Sequence, residues 1–188
     1  MTISVVMPTL GRKSLDKCLD SLKDADEIIT VTDRDKSVVD CYNEGYKRAT
    51  GDVIFQTPDR VFYDKGWRKK VERKFKEINN YGMVSFFEQA ACSSLLTRDY
   101  IEEKQMGYLY WPEYIHYFAD LEMTWVAQKH NAFSQVQGVA HWIDKTDTPK
   151  YPHEEARGVW DRETYRIREN MNFPMKIVRD MKEREKLL

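Results

Sequence analysis

Three cysteines in 188 residues are too few and too scattered to organise a fold. Cys18, Cys41 and Cys92 are odd in number and form no C-x-x-C pair, which argues against a disulfide framework and a thiolate zinc site and fits a reducing compartment. Long apolar runs are also missing. The run from Ile3 to Met7 is stopped by Pro8, and nothing approaches the roughly 20 apolar residues of a membrane span; the expectation is a soluble, cytoplasmic protein. Nor is there an excess of one charge: 30 basic against 31 acidic residues leave a net charge of -1, with no bulk field to attract nucleic acid or an anionic membrane. Specificity must therefore come from a local site. Internal repeats and low-complexity linkers are lacking too, and the length fits one domain.

What is present is an alternation of strand and helix signals. Ile3 to Met7 reads as a buried parallel strand running into a Pro-Thr-Leu-Gly loop. Ser14 is placed to cap a helix through Lys23, in which Leu15, Cys18, Leu19 and Leu22 form one stripe. Glu27 to Thr32 reads as a strand, Ser37 to Ala49 as a helix with Gly51 as its C-cap, and Asp52 to Gln56 as a third strand. Gly66 to Ile78 reads as a surface helix, Met83 to Phe87 as a strand and Asp120 to His130 as a helix. This β-α-β-α-β order predicts an α/β fold with a parallel sheet covered on both faces and a ligand at the carboxyl ends of the strands. Polar loops stand there: Pro8 to Arg12, Asp33 to Asp35 and Thr57 to Arg60.

Three segments carry a more specific signal: Ile3-Ser-Val-Val-Met-Pro-Thr with Arg12; Tyr42-Asn-Glu-Gly with Ala49-Thr-Gly-Asp-Val-Ile-Phe; and Ala119-Asp-Leu-Glu with His141 about twenty residues on. In this order they resemble the inverting family-2 glycosyltransferases of the GT-A fold. The resemblance spans residues 3–142. It implies a single nucleotide-diphospho-sugar transferase domain over 1–145, with a mainly parallel central sheet and flanking helices, followed by a C-terminal helical extension over 146–188 packing on or near the core. It also implies direct displacement of a sugar from a UDP- or dTDP-sugar onto an acceptor hydroxyl, with Mn²⁺ or Mg²⁺ on the diphosphate. The pattern departs from the family at two points. Where members carry a D-x-D triplet this chain has Thr57-Pro-Asp, leaving Asp59, and the Glu before the catalytic Asp is Ala119.

The resemblance assigns Pro8, Thr9, Arg12, Asp33, Asn43, Thr57, Pro58 and Asp59 to the nucleotide sugar, Asp59 and His141 to the metal, and Asp120 to the general base. Glu122, Trp111 and Tyr114 are acceptor-side candidates. Each has a plainer alternative. Asp33 beside Asp35 also suits a tight turn, Asp59 a solvated loop acid, and Asp120 a helix cap. A lone histidine such as His141 is commonly structural, and the aromatic run from Tyr108 to Phe118 also suits a local hydrophobic cluster. On an ideal helix Asp120 and Glu122 point about 200° apart and should not share a task. The charges after Arg162 balance, so a solvated helix is the default there, with a lid or an oligomer contact as alternatives. The acceptor stays open among a glycan, a lipid-linked sugar, a protein and a modified nucleobase. Two rival functions are a nucleotidyltransferase, disfavoured because Leu10-Gly-Arg-Lys has a single glycine, and a catalytically weakened nucleotide-sugar-binding module.

Overall fold

A computed structural model describes residues 1–88, 91–143 and 154–179, with side chains in the last segment from Arg157 onward. The expected boundary between 145 and 146, the turn-rich stretch Thr146 to Pro152 and the charged residues after Arg179 lie outside the described residues.

Strands β1 (Ile3–Pro8), β2 (Glu27–Val31) and β3 (Val53–Gln56) alternate with helices α1 (Leu15–Ser21) and α2 (Val38–Arg48). A short strand β4 (Val61–Tyr63), helix α3 (Trp67–Glu77), strands β5 (Met83–Ser85) and β6 (Ser94–Thr97) and helix α4 (Arg98–Lys104) follow. The second half carries α5 (Ala119–Lys129), β7 (Phe133–Gln135), β8 (Ala140–Trp142) and α6 (Glu154–Asn170). Six strands form one sheet in the order β2-β1-β3-β6-β5-β7, and β4 pairs with β8 in a separate antiparallel ribbon. Within the large sheet only β6 runs against its neighbours.

Alternation along the strands feeds two cores. Ile3, Val5 and Met7 pack with Cys18 and Leu22 of the first helical region and with Trp67, Val71 and Phe75 of α3. Val6, Ile54 and Leu96 face the opposite side, against Tyr42 and Tyr46 of α2 and Met123 and Ala127 of α5. The sheet is thus covered on both faces, which is why its strands read as continuous apolar runs. Gly45 lets α2 close on β1: a Cβ there would sit 2.3 Å from Val6 Cγ1.

Several local expectations need correction. Gly51 does not cap α2, which ends at Arg48 with Ala49 extended. Gly51 instead lies against Ser4, whose Oγ accepts the Gly51 N–H at 2.7 Å and would be 2.6 Å from an added Cβ. Ser14 precedes α1 without a side-chain cap, because its hydroxyl donates to the Asp59 carbonyl at 3.0 Å. His141 lies inside strand β8. The balanced charges of α6 do not keep it solvated along its length, since Asp161, Thr164 and Arg168 are buried.

Candidate functional site

The three loops at the carboxyl ends of β1, β2 and β3 are tied to one another. The Thr9 amide donates to Val31 at 3.0 Å, and its hydroxyl donates to Asp59 Oδ2 at 2.8 Å while accepting the Gly11 N–H at 3.0 Å. Arg12 Nε lies 3.1 Å from Asp59 Oδ1. The Asp59 carbonyl also accepts from the Cys18 thiol at 3.1 Å. Asp59 is therefore buried with side chain and backbone both fixed, unlike a solvated loop acid. Asp33 has features of both readings made for it. It accepts the Asp35 N–H at 3.0 Å in a local turn and meets Lys36 Nζ at 3.1 Å, yet it lines the cleft. The Asp35 amide first and Lys36 second hold its carboxyl below the usual range.

Beneath these loops lies a polar floor. The Asn43 side chain brackets the Tyr110 backbone, donating to its carbonyl at 2.8 Å and accepting its N–H at 2.9 Å. Tyr110 in turn donates to Gln56 Oε1 at 2.7 Å. Thr57 shares a 2.6 Å hydrogen bond with the Tyr63 hydroxyl. Neither Asn43 nor Thr57 reaches the cleft lining, although both were expected at the nucleotide; Asn43 instead positions Tyr110, which does line it, and Thr57 pairs with the buried Tyr63.

The far wall is the approach to α5. Phe118 adopts a left-handed φ of 66°, a strained turn for a bulky residue, and delivers Asp120 into the first turn of α5. There Asp120 Oδ1 accepts the Leu121 N–H at 3.0 Å. Asp120 makes no ion pair among the described residues, and burial pushes its carboxyl above the usual range. Cys92, also in the cleft, is pushed up to about 12 by burial first and by the charge of Asp120 second.

Helix α6 holds this wall in place. The Asp161 carboxylate accepts the backbone N–H groups of Ile115, His116 and Tyr117 at 2.8, 2.8 and 2.7 Å. Arg168 grips Glu122 with two hydrogen bonds at 2.8 and 2.7 Å and Glu113 with a third at 2.6 Å. Tyr114 donates to Glu122 at 2.7 Å, Trp111 Nε1 donates to Glu113 at 2.8 Å, and the Trp111 ring lies 4.1 Å beneath the guanidinium. The expected acceptor-side residues Glu122, Trp111 and Tyr114 are thus placed in a buried ion network and not in the cleft lining, because Arg168 draws both glutamates inward. The rings that do line it are those of Tyr42, Tyr110, His116, Tyr117, Phe118 and Trp142. Asp120 and Glu122 diverge as helical geometry requires.

The resulting cleft has a volume of about 490 Å³, within the roughly 300–1,000 Å³ typical of small-ligand sites. It brings together Pro8, Thr9, Arg12, Asp33, Pro58, Asp59 and Asp120. His141 is placed elsewhere: its Nε2 is 3.1 Å from Asp64 Oδ2 and its ring stacks on Phe62. No cluster of three potential metal ligands occurs among the described residues. Asp59, a single hard carboxylate with oxygens already engaged by Thr9 and Arg12, fits a divalent ion only if a bound diphosphate and water supply the other positions. Sequence reading missed Arg60, Cys92, Trp142 and Arg157, all in the cleft lining. Arg60 and Trp142 adjoin Asp59 and His141 in the chain and offered a signal by proximity; Arg157 depends on how α6 returns to the core.

Sheet order, double helical cover and a cleft at the strand ends define a GT-A-like fold. No family model and no curated protein matches the chain. Among solved structures it is similar to glucosyl-3-phosphoglycerate synthase from Mycobacterium tuberculosis, crystallised with Mn²⁺, uridine diphosphate and phosphoglyceric acid, at 13% identity and a TM-score of 0.61 over 92% of this chain and 79% of that one. It is similar to S. aureus TarS at 14% identity and 0.60 over 77% of this chain and 37% of that one, and to protein A197 from STIV at 17% and 0.53 over 77% and 87%. At these identities the likeness is one of fold. No helix among the described residues is long and apolar enough to cross a membrane.

Proposed function

We propose that the chain is an inverting glycosyltransferase, moving a sugar from a UDP- or dTDP-sugar to an acceptor hydroxyl. The observation that carries this reading is the convergence of Asp33, Asp59 and Asp120 from separate elements on one cleft, in a fold whose neighbours include a synthase solved with UDP-glucose and Mn²⁺. In this reading Asp33 accepts the ring N–H of the base, while Thr9, Arg12, Pro58 and Asp59 border the diphosphate. Asp120 removes the proton of the acceptor hydroxyl as its oxygen forms a bond to the anomeric carbon. The bond from that carbon to the diphosphate oxygen breaks, and its electron pair leaves with the diphosphate. A bound Mn²⁺ or Mg²⁺, held by Asp59, would supply positive charge to that leaving group. The raised affinity of Asp120 for protons suits a base, since it accepts a proton more readily than an exposed aspartate.

The test is incubation with UDP- and dTDP-sugars and Mn²⁺, following release of nucleoside diphosphate. Release that depends on the protein and on Asp120 is expected. Absence of both binding and release across the sugar nucleotides would remove the reading. The engagement of both Asp59 oxygens favours one rival, a nucleotide-sugar-binding module without turnover, whose signature is tight binding with no release under any condition.

A further inference from the structure

Arg60 is one of four arginine and lysine side chains that line the cleft, with Arg12, Lys36 and Arg157. Arg12 is paired to Asp59, and Lys36 to Asp33 and Glu44. Arg60 is half-buried and has no carboxylate partner among the described residues. It is nevertheless held in place. Arg60 immediately precedes β4, Val61 faces Trp142 across the β4–β8 ribbon, and the Ile143 N–H donates to the Arg60 carbonyl at 2.8 Å. This register lays the guanidinium over the Trp142 ring at 4.9 Å, and Trp142 is itself backed by Phe87 at 5.2 Å. A guanidinium stacked on an indole keeps its in-plane N–H donors free for a planar or tetrahedral anion. Arg60, Cys92 and Asp120 line the same cleft, so the cation and the proposed base face one site.

We propose that Arg60, oriented by Trp142, is the fixed cation that binds the diphosphate of the donor and takes up charge on it as it leaves. The proposal rests on the glycosyltransferase reading. It accounts for how a site with one carboxylate in place of the usual pair can hold a diphosphate: part of the neutralisation comes from a side chain, so the diphosphate should bind before any metal does.

Calorimetric titration of UDP, dTDP, GDP and ADP, each against its own nucleoside, in excess chelator and again with Mn²⁺, tests this on the full chain. In chelator the parent should bind one diphosphate at least tenfold more tightly than the matching nucleoside. Arg60→Gln should weaken that diphosphate by roughly 10- to 100-fold, the range for a hydrogen bond to a charged group, and leave the nucleoside unchanged. Arg60→Lys should recover part of the loss. Trp142→Ala, at a side chain 45% exposed and hence safe for folding, should weaken the diphosphate alone, while Trp142→Phe should not. Equal diphosphate affinity in parent and Arg60→Gln overturns the proposal, as does diphosphate binding by the parent only when Mn²⁺ is present; in both cases the glycosyltransferase reading stands. If no nucleoside diphosphate binds the parent under either condition, both fall.

Discussion

A carboxyl group withdrawn from water keeps its proton to higher pH, and this sets the behaviour of Asp120. Asp120→Asn preserves the size of the side chain and an oxygen for the Leu121 N–H but cannot take a proton. Transfer should fall by roughly 10² to 10⁴ while donor binding survives. Stability should move the other way. Because burial raises the folded-state pKa of Asp120, its favourable contribution is complete below the unfolded value of about 3.9 and is lost as pH rises through the folded value. Asp120→Asn should therefore melt at or above the parent at pH 7, and the gap should close in acid; a melting series across pH reads this directly. Simple helix capping predicts no loss of rate, since Asn caps as well as Asp. Asp33 has a separate test. Asp33→Ala should weaken UDP or dTDP by about tenfold or more if its carboxylate reads the base, with little change in melting; unchanged affinity would return Asp33 to its turn.

The decisive contact between elements is the clasp of α6 on the segment that leads into α5. Arg168 joins Glu113 and Glu122, and Glu113 Oε1 also accepts the N–H groups of Val178 and Arg179 at 3.0 and 2.7 Å. Removing one partner of such a buried set strands the others without water, at about 3–5 kcal/mol. Arg168→Ala should show a loss of that size in chemical denaturation, much larger than surface changes on α6 such as Glu163→Ala. Asp161→Ala should leave the amides of Ile115, His116 and Tyr117 without their acceptor. It should speed hydrogen exchange at those positions and lower transfer through loss of the Asp120 wall, without touching nucleotide affinity at Asp33. Activity unchanged in a variant that exchanges faster there would separate the loop from catalysis.

For the molecule as a whole, metal and nucleotide should bind as linked ligands. With Asp59 the one carboxylate available to a divalent ion beside the diphosphate, Mn²⁺ should bind the empty protein weakly and the diphosphate complex well. Either ligand that prefers the folded state raises apparent stability, by about 2.7 kcal/mol at a hundred times its Kd. Thermal shifts should therefore be small with Mn²⁺ alone and larger with Mn²⁺ and UDP or dTDP together. Tight Mn²⁺ binding to the empty protein would contradict a single-carboxylate site.

Much of the sheet and the loops at its strand ends were legible because their causes are local. Apolar runs fix β1, β2 and β3 and a 3.6-residue apolar period fixes α1 and α2, and loops at the carboxyl ends of parallel strands must gather, so Thr9, Arg12, Asp33 and Asp59 were readable together. Strands β4, β6, β7 and β8 escaped because short segments carry little period of their own, and their pairing is decided by partners far along the chain. The fate of Glu122, Trp111 and Tyr114 depended on Arg168, between 46 and 57 residues further on. No spacing rule announces that an arginine in a balanced-charge helix will be buried between two glutamates. His141 likewise faces Asp64 because of the β4–β8 register. The sequence by itself determined the longer elements and the loops that hold Asp33 and Asp59; tertiary structure decided which charges meet, because ion pairing and burial depend on distance in space, which short-range pattern does not encode.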